Sequence, residues 1–130
     1  MSVGVLLVTH PGIGTAIMQS AKRIIDDCPL QTKCLEVPLD TGLARTRENA
    51  LSLIHTLDEG QGVLVLTDIY GATPNNLSRQ FAQRERVAVL AGLNLPMLVR
   101  VYNYPDGSLK TLCEKALEGG TRGVHQCTLE

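Results

Sequence analysis

Two short apolar runs limit what this chain can fold into more than any other feature. Val3-Gly4-Val5-Leu6-Leu7-Val8 and Val63-Leu64-Val65-Leu66 are hydrophobic at nearly every position, so a strand built from either presents apolar side chains to both faces of its sheet. Strands of that kind sit centrally in parallel sheets covered by helices on both sides. Neither run is long enough to cross a bilayer, and the first lacks the basic start and small-residue cleavage site of a secretion signal. The chain is therefore read as cytoplasmic.

The remaining residues alternate between helix and strand patterns. Ile13, Ala16, Ile17, Ala21, Ile24 and Ile25 recur at helical spacing until Asp26-Asp27-Cys28-Pro29, where proline stops the helix. Residues 33–37 read as a second strand ended by Pro38-Leu39-Asp40-Thr41-Gly42. Residues 44–57 carry Ala50, Leu51, Leu53, Ile54 and Leu57 on one helical stripe. The strand at 62–67 leads into Thr73-Pro74, which reads as a hydroxyl cap followed by proline at the first helical position, with the helix reaching Gln83.

Residues 87–91 form a fourth expected strand. Residues 97–104 fit helix or strand, a short helix being the favoured reading. Ser108 caps a helix carrying Leu109, Leu112, Cys113, Ala116 and Leu117 that Gly119-Gly120 would end, and 124–129 reads as a final edge strand. This alternation predicts an α/β fold, a mostly parallel sheet with helices on both faces, joined by right-handed crossovers. With 130 residues, 44% of them hydrophobic, the chain is expected to be one domain over 1–130.

Charge and cysteine content narrow the function classes. Twelve basic residues against thirteen acidic ones give a net charge of −1 with no basic stripe, which argues against nucleic acid and membrane surfaces as partners. Cys28, Cys34, Cys113 and Cys127 form no C-x-x-C pair, and His10, His55 and His125 lie far apart. Reduced, structural cysteines and no metal site are expected. Gly12-Ile13-Gly14 is followed by Ile17 where a dinucleotide loop has its third glycine, and neither a P-loop nor a G-x-S-x-G elbow occurs. No cofactor is expected.

In open parallel sheets, ligands bind beyond the carboxyl ends of the strands near the reversal of winding. The residues there are Thr9-His10-Pro11-Gly12, the stretch Thr67-Asp68-Ile69-Tyr70-Gly71-Ala72-Thr73-Pro74, and Gly92-Leu93-Asn94-Leu95-Pro96. If the first and third strands are neighbours, Asp68 can hold one imidazole nitrogen of His10 and leave the other facing the crevice, which makes His10 a candidate nucleophile toward phosphorus. Helix N-termini near Gly12 and Thr73, with the Thr73 hydroxyl, would then supply donors to a phosphoryl dianion. Taken singly, a histidine after a strand fits a loop or packing role, and Asp68 and Thr73 fit turn bracing and capping. His55 and His125 read as surface or packing residues.

These blocks, together with Val89-Leu90-Ala91-Gly92-Leu93-Asn94-Leu95-Pro96-Met97-Leu98, resemble the IIA domain of the mannose family of the bacterial phosphoenolpyruvate-dependent sugar phosphotransferase system (PTS). The resemblance covers nearly the whole chain. It implies flavodoxin-like layering and a phosphocarrier in which His10 accepts phosphate from phospho-HPr, Asp68 orients the ring, and Thr73 with the backbone of Gly71 and Ala72 binds phosphate. Pro11, Tyr70 and Asn94 would dock partners.

A IIB protein or a regulatory target would be the acceptor, with any membrane contact made indirectly through a permease complex. The resemblance also implies a homodimer in which the last strand pairs with the partner subunit's sheet. Tyr70 stands where sugar-transporting members commonly have tryptophan, Ala72 where the family has a second glycine, and Asn75 where an apolar residue is common. All three departures fall at the expected docking surface. The alternatives are a non-catalytic regulatory binding module or the phosphotransfer component of a dihydroxyacetone kinase system.

Overall fold

A computed structural model describes residues 2–26, 30–38, 42–84 and 86–129. In chain order they form β1 (Gly4–Thr9), α1 (Ile13–Ile24), β2 (Thr32–Glu36), α2 (Leu43–Leu57), β3 (Val63–Thr67), α3 (Thr73–Arg79) with a 3-10 turn at Gln80–Gln83, β4 (Val87–Ala91), α4 (Leu95–Tyr102) and α5 (Leu109–Arg122). The four strands are parallel in the order β2-β1-β3-β4. The two continuous apolar runs are the two inner strands, buried at every position.

Because side chains alternate along a strand, the inner strands feed two separate cores. Val5, Leu7, Leu64 and Leu66 pack with Ala21 of α1, Met97, Leu98 and Val101 of α4, and Leu112 and Ala116 of α5. Leu6, Val8, Val63 and Val65 pack on the other face with Ala50, Ile54 and Leu57 of α2, Leu77 of α3 and Phe81. The chain leaves β1 toward β2 on the α1 face and later crosses to β3 and β4 on the α2 and α3 face. The winding thus reverses between β1 and β3, and their carboxyl ends open a crevice there.

The favoured short helix at 97–104 is α4, starting two residues earlier at Leu95, where Asn94 caps it by accepting from the Met97 N–H at 2.9 Å. The proline stop at residues 27–29 and the turn at 39–41 lie outside the described residues, as does Cys28. Cys34 and Cys113 are half-buried free thiols, whereas Cys127 is exposed and packs into no core. Among the described residues no helix is long and apolar enough to cross a membrane.

Three expectations need correction. Residues 124–129 pair with no strand of this chain and are exposed throughout, so the edge strand is absent from this chain's own sheet. The helix starting at Thr73 stops at Arg79 and tightens into the 3-10 turn before Gln83. Gly119 and Gly120 do not end the last helix, which runs on to Arg122.

These glycines serve contact between helices. A Cβ on Gly119 would lie 2.5 Å from the Arg100 Cβ and 3.1 Å from the Pro96 carbonyl, so their absent side chains let α4 and α5 touch. Replacing Gly119 with alanine gains about 1 kcal/mol of helix propensity, but the clash falls on a Cβ that cannot swing away and costs about 1–3 kcal/mol. Gly119→Ala is therefore expected to lower the unfolding free energy in urea titration; equal or greater stability would show that α4 and α5 tolerate wider spacing.

Candidate functional site

The site is built on two buried threonines that end the inner strands alike. The Thr9 hydroxyl donates to the His10 carbonyl at 2.8 Å and accepts the Gly14 N–H at 2.9 Å. The Thr67 hydroxyl donates to the Leu90 carbonyl at 3.3 Å and accepts from Asn75 Nδ2 at 3.0 Å. Each one ties the end of its strand to a neighbouring element, so the next residue, His10 or Asp68, leaves the sheet from a fixed point. Because Val8 pairs with Thr67 in the β1–β3 register, those two residues emerge side by side.

His10 and Asp68 meet as the sequence suggested. One carboxylate oxygen, Asp68 Oδ2, accepts from the His10 backbone N–H at 2.9 Å and lies 2.7 Å from His10 Nδ1. The second contact puts the proton of a neutral ring on Nδ1 and leaves the Nε2 lone pair bare. The Asp68 side chain is 7% exposed and that of His10 34%, so the acid is enclosed while the ring reaches solvent. Burial pushes the Asp68 carboxyl up, but hydrogen bonds from the His10 N–H and ring outweigh it and hold the group below the ordinary carboxylate value.

The loop after Asp68 is held by two asparagines. Buried Asn75 accepts the Gly71 N–H at 2.9 Å through Oδ1, and Asn76 Nδ2 donates to the Gly71 carbonyl at 2.9 Å. Asn75, placed by the sequence at a docking surface, is thus an interior brace. Ala72 holds the N-cap position of α3, Thr73 is the first helical residue and Pro74 the second. The Thr73 hydroxyl therefore caps nothing; it is exposed and bonds to no described residue. Of the expected phosphate donors, Gly71 has its N–H occupied and the Ala72 N–H makes only a long 3.4 Å contact with the Ile69 carbonyl.

At the α1 N-terminus two donors are engaged within the chain: Ile13 N–H contacts the His10 carbonyl at 3.4 Å and Gly14 N–H is taken by Thr9. The Gly12 N–H, followed by the Thr15 hydroxyl, holds the Glu36 carboxyl below its ordinary value against a smaller effect of burial. Sequence reasoning missed the bracing role of Asn75, whose available signal was an amide where an apolar residue is common.

Pro11 and Tyr70 are exposed, Tyr70 at 74% with the Arg79 guanidinium 5.8 Å from its ring centroid. Asn94 is occupied within the chain: besides capping α4, its Nδ2 donates to the Gly120 carbonyl at 3.1 Å. His55 and His125 are exposed on α2 and in the segment after α5. A cavity of about 320 Å³ between α2 and α3 is lined by Leu43, Arg47, Thr73 and Leu77 among others, and His10 is not in its wall. The imidazole instead is part-exposed beside exposed Pro11, and exposed Ile69 and Tyr70 follow its partner Asp68 in sequence, a setting that suits a partner carried on another protein.

The family described as "PTS system fructose IIA component" matches residues 4–116. The chain belongs to this family. It is a IIA component of the mannose/fructose type of the PTS. It is 30% identical over 134 residues to the "PTS system mannose-specific EIIAB component" of Escherichia coli (strain K12), an alignment covering 95% of this chain and 39% of that protein. The chain thus spans well under half the length of that relative. It is 28% identical over 102 residues to the "PTS system fructose-specific EIIA component" of Bacillus subtilis (strain 168), covering 76% and 68% of the two chains.

Among solved structures, the mannose/sorbose-specific IIA subunit of Enterococcus faecalis superposes with a TM-score of 0.87 at 22% identity, covering 100% of this chain and 98% of that one. The IIA protein associated with the fucose utilization operon of Streptococcus pneumoniae gives 0.80 at 20% identity, with 97% and 96% covered. At these identities the likeness establishes the fold.

The Asp68 geometry sets a pH dependence. A carboxyl depressed in the folded state contributes stability in full above its unfolded pKa, about 3.9, and loses it as pH falls through the lower folded value. Asp68→Asn is expected to cost about 1–3 kcal/mol near neutrality through loss of charge-assisted bonds. In urea titrations across pH, the gap between the two proteins should shrink below about pH 4; a gap independent of pH would mean the Asp68 charge is not what holds His10.

Proposed function

We propose that this chain is a phosphocarrier that accepts a phosphoryl group from phospho-HPr on His10 Nε2 and passes it to a IIB protein or a regulatory target. The observation that carries this reading is the 2.7 Å contact of His10 Nδ1 with Asp68, which leaves the other ring nitrogen bare on open surface. In the transfer, the Nε2 lone pair forms a bond to phosphorus while the P–N bond of the donor histidine breaks and its electron pair returns to the donor ring. The His10 proton stays on Nδ1, and the positive charge that develops on the ring is balanced by Asp68.

The Thr73 hydroxyl and Ala72 N–H hold phosphoryl oxygens on the α3 side, with Gly71 shaping the loop, while Pro11 and Tyr70 with the neighbouring Asn94 loop form the surface on which donor and acceptor dock. Catalysis is positioning plus charge stabilisation. The phosphoryl group arrives already activated on nitrogen, so the step requires neither metal nor nucleotide. The chain works in the cytoplasm and reaches a membrane only through a permease complex.

Incubation with phosphoenolpyruvate, enzyme I and HPr should label the chain on an acid-labile, base-stable site. His10→Ala should take no label and Asp68→Ala should be labelled about 10–100-fold more slowly. Full labelling of His10→Ala would overturn the assignment, and a wild-type chain that never labels would favour a binding module.

The chain is further proposed to form a homodimer. Among the described residues, β4 is half-buried with no strand on its outer edge, and the segment after α5 forms no strand. Such an edge is a template for pairing, and residues 124–129 of a second copy can cover it. Light scattering should give about twice 14.1 kDa, falling to one chain when the protein is cut after Gly123. A monomeric mass for the uncut protein at micromolar concentration would contradict the dimer.

A further inference from the structure

The cavity of about 320 Å³ between α2 and α3 lies toward the same edge of the sheet as His10 but is built from other residues. α2 follows β2 and α3 follows β3 in a parallel sheet, so both helices begin at the carboxyl edge. α2 contributes Leu43, Ala44 and Arg47 from its first turns. α3 and the turn after it contribute Thr73, Asn76, Leu77 and Gln80, spaced at i, i+3, i+4 and i+7 and therefore along one face.

Leu77, part of the core beneath, supplies an apolar floor with Leu43 and Ala44. The polar groups around it are uncommitted. The Thr73 hydroxyl, the Gln80 amide and the Arg47 guanidinium bond to no described residue, and Asn76 engages only its Nδ2, on the Gly71 carbonyl. Among the described residues no Asp or Glu lines the cavity, so the Arg47 charge has no counterpart in the wall. One guanidinium calls for one anionic group, phosphate or carboxylate, which it takes through paired N–H donors. Three neutral side chains able to donate and accept suit hydroxyls. The volume falls at the small end of ligand sites, which run from about 300 to 1,000 Å³. No aromatic ring among the described residues lines the cavity, so a nucleobase would find nothing to stack on.

We propose that this cavity binds a small hydroxylated organic anion, a sugar phosphate or a sugar acid, with Arg47 taking the charge and Thr73, Asn76 and Gln80 the hydroxyls. Binding stands on the cavity alone. Its consequence rests on the reading of Thr73 as a group that holds phosphoryl oxygens: a ligand bonded to that hydroxyl withholds it from the phosphoryl group at His10, so an occupied cavity slows phosphotransfer.

Calorimetry and ¹⁵N amide shifts of the whole chain test the site, with glucose 6-phosphate and gluconate as probes and glucose and inorganic phosphate as controls. At least one probe should bind with a Kd of about 1 mM or tighter and shift the amides of Arg47, Thr73, Asn76 and Gln80. The probe that binds more tightly identifies the anionic group as phosphate or carboxylate. Glucose lacks the charge and inorganic phosphate lacks the hydroxyls, so each should bind at least about tenfold more weakly. Arg47→Ala should weaken the probe about tenfold or more, and Ala44→Leu, which fills part of the cavity, should remove the shifts. The proposal is overturned if neither probe binds below about 10 mM, if a folded Arg47→Ala chain binds as well as wild type, or if inorganic phosphate binds as tightly as the probe.

With preformed phospho-HPr, a saturating probe should slow single-turnover labelling of the wild type about fivefold or more, and the same concentration should leave Arg47→Ala unaffected. An unchanged wild-type rate with the cavity filled overturns the coupling to His10. If the chain takes no label yet binds the probe through Arg47, the phosphotransfer reading fails and the site stands.

Discussion

One carboxylate oxygen carries the site. Asp68 Oδ2 bonds to two donors of the same residue, His10 N–H and His10 Nδ1, across 58 positions of sequence. A side chain that held only the imidazole would leave the ring free to travel with its backbone. A contact to the backbone alone would leave χ1 and χ2 unrestrained. By holding both, Asp68 fixes where the ring begins and which nitrogen faces outward. Because bonds to an ionised acceptor are about twice as strong as neutral ones, the arrangement needs Asp68 charged. Its enclosure makes that costly unless the His10 donors are present, so each residue is stable in its working form only because the other is there.

The sheet makes this pairing possible, and it also explains why the two helix N-termini near the site differ. Parallel strands in register deliver Thr9 and Thr67 to the same edge, and the threonine hydroxyls tie the strand ends to α1, α3 and β4. After β1 the Ile13 and Gly14 N–H groups at the start of α1 meet partners from within the chain, the His10 carbonyl and the Thr9 hydroxyl. After β3 the loop is braced instead by neutral amides, Asn75 and Asn76 on Gly71, and the Thr73 hydroxyl bonds to no other described residue. The His10 ring thus stands between the start of α1, whose first donors are engaged, and a loop braced by neutral amides.

Much of this was legible in sequence where the signal was local or repeated. The runs at 3–8 and 63–66 named the inner strands because residues buried on both faces leave no polar positions. The strand-end rule then picked out His10 and Asp68, although their contact depended on β1 and β3 being neighbours, which alternation alone cannot supply. Asn75 was read as a docking residue because an amide replacing an apolar side chain suggests surface, whereas its four-residue reach back to Gly71 makes it interior.

Gly119-Gly120 shows the same limit in another form. A glycine that ends a helix and a glycine that lets a second helix approach look identical along the chain, since both exploit the missing Cβ. What separates them is the neighbour. At Gly119 an added Cβ would meet Arg100, and Arg100 in turn bonds Glu118 one residue before it. Asn94 closes the same contact from the other end, bonding the Gly120 carbonyl while capping α4. The loop after β4 is thereby fastened to α5, and the third strand end of the site rests on a helix pair whose spacing is set by the absence of two side chains. A substitution far from His10 that wedges α4 from α5 must therefore move that loop, and with it one wall of the surface on which a partner would rest.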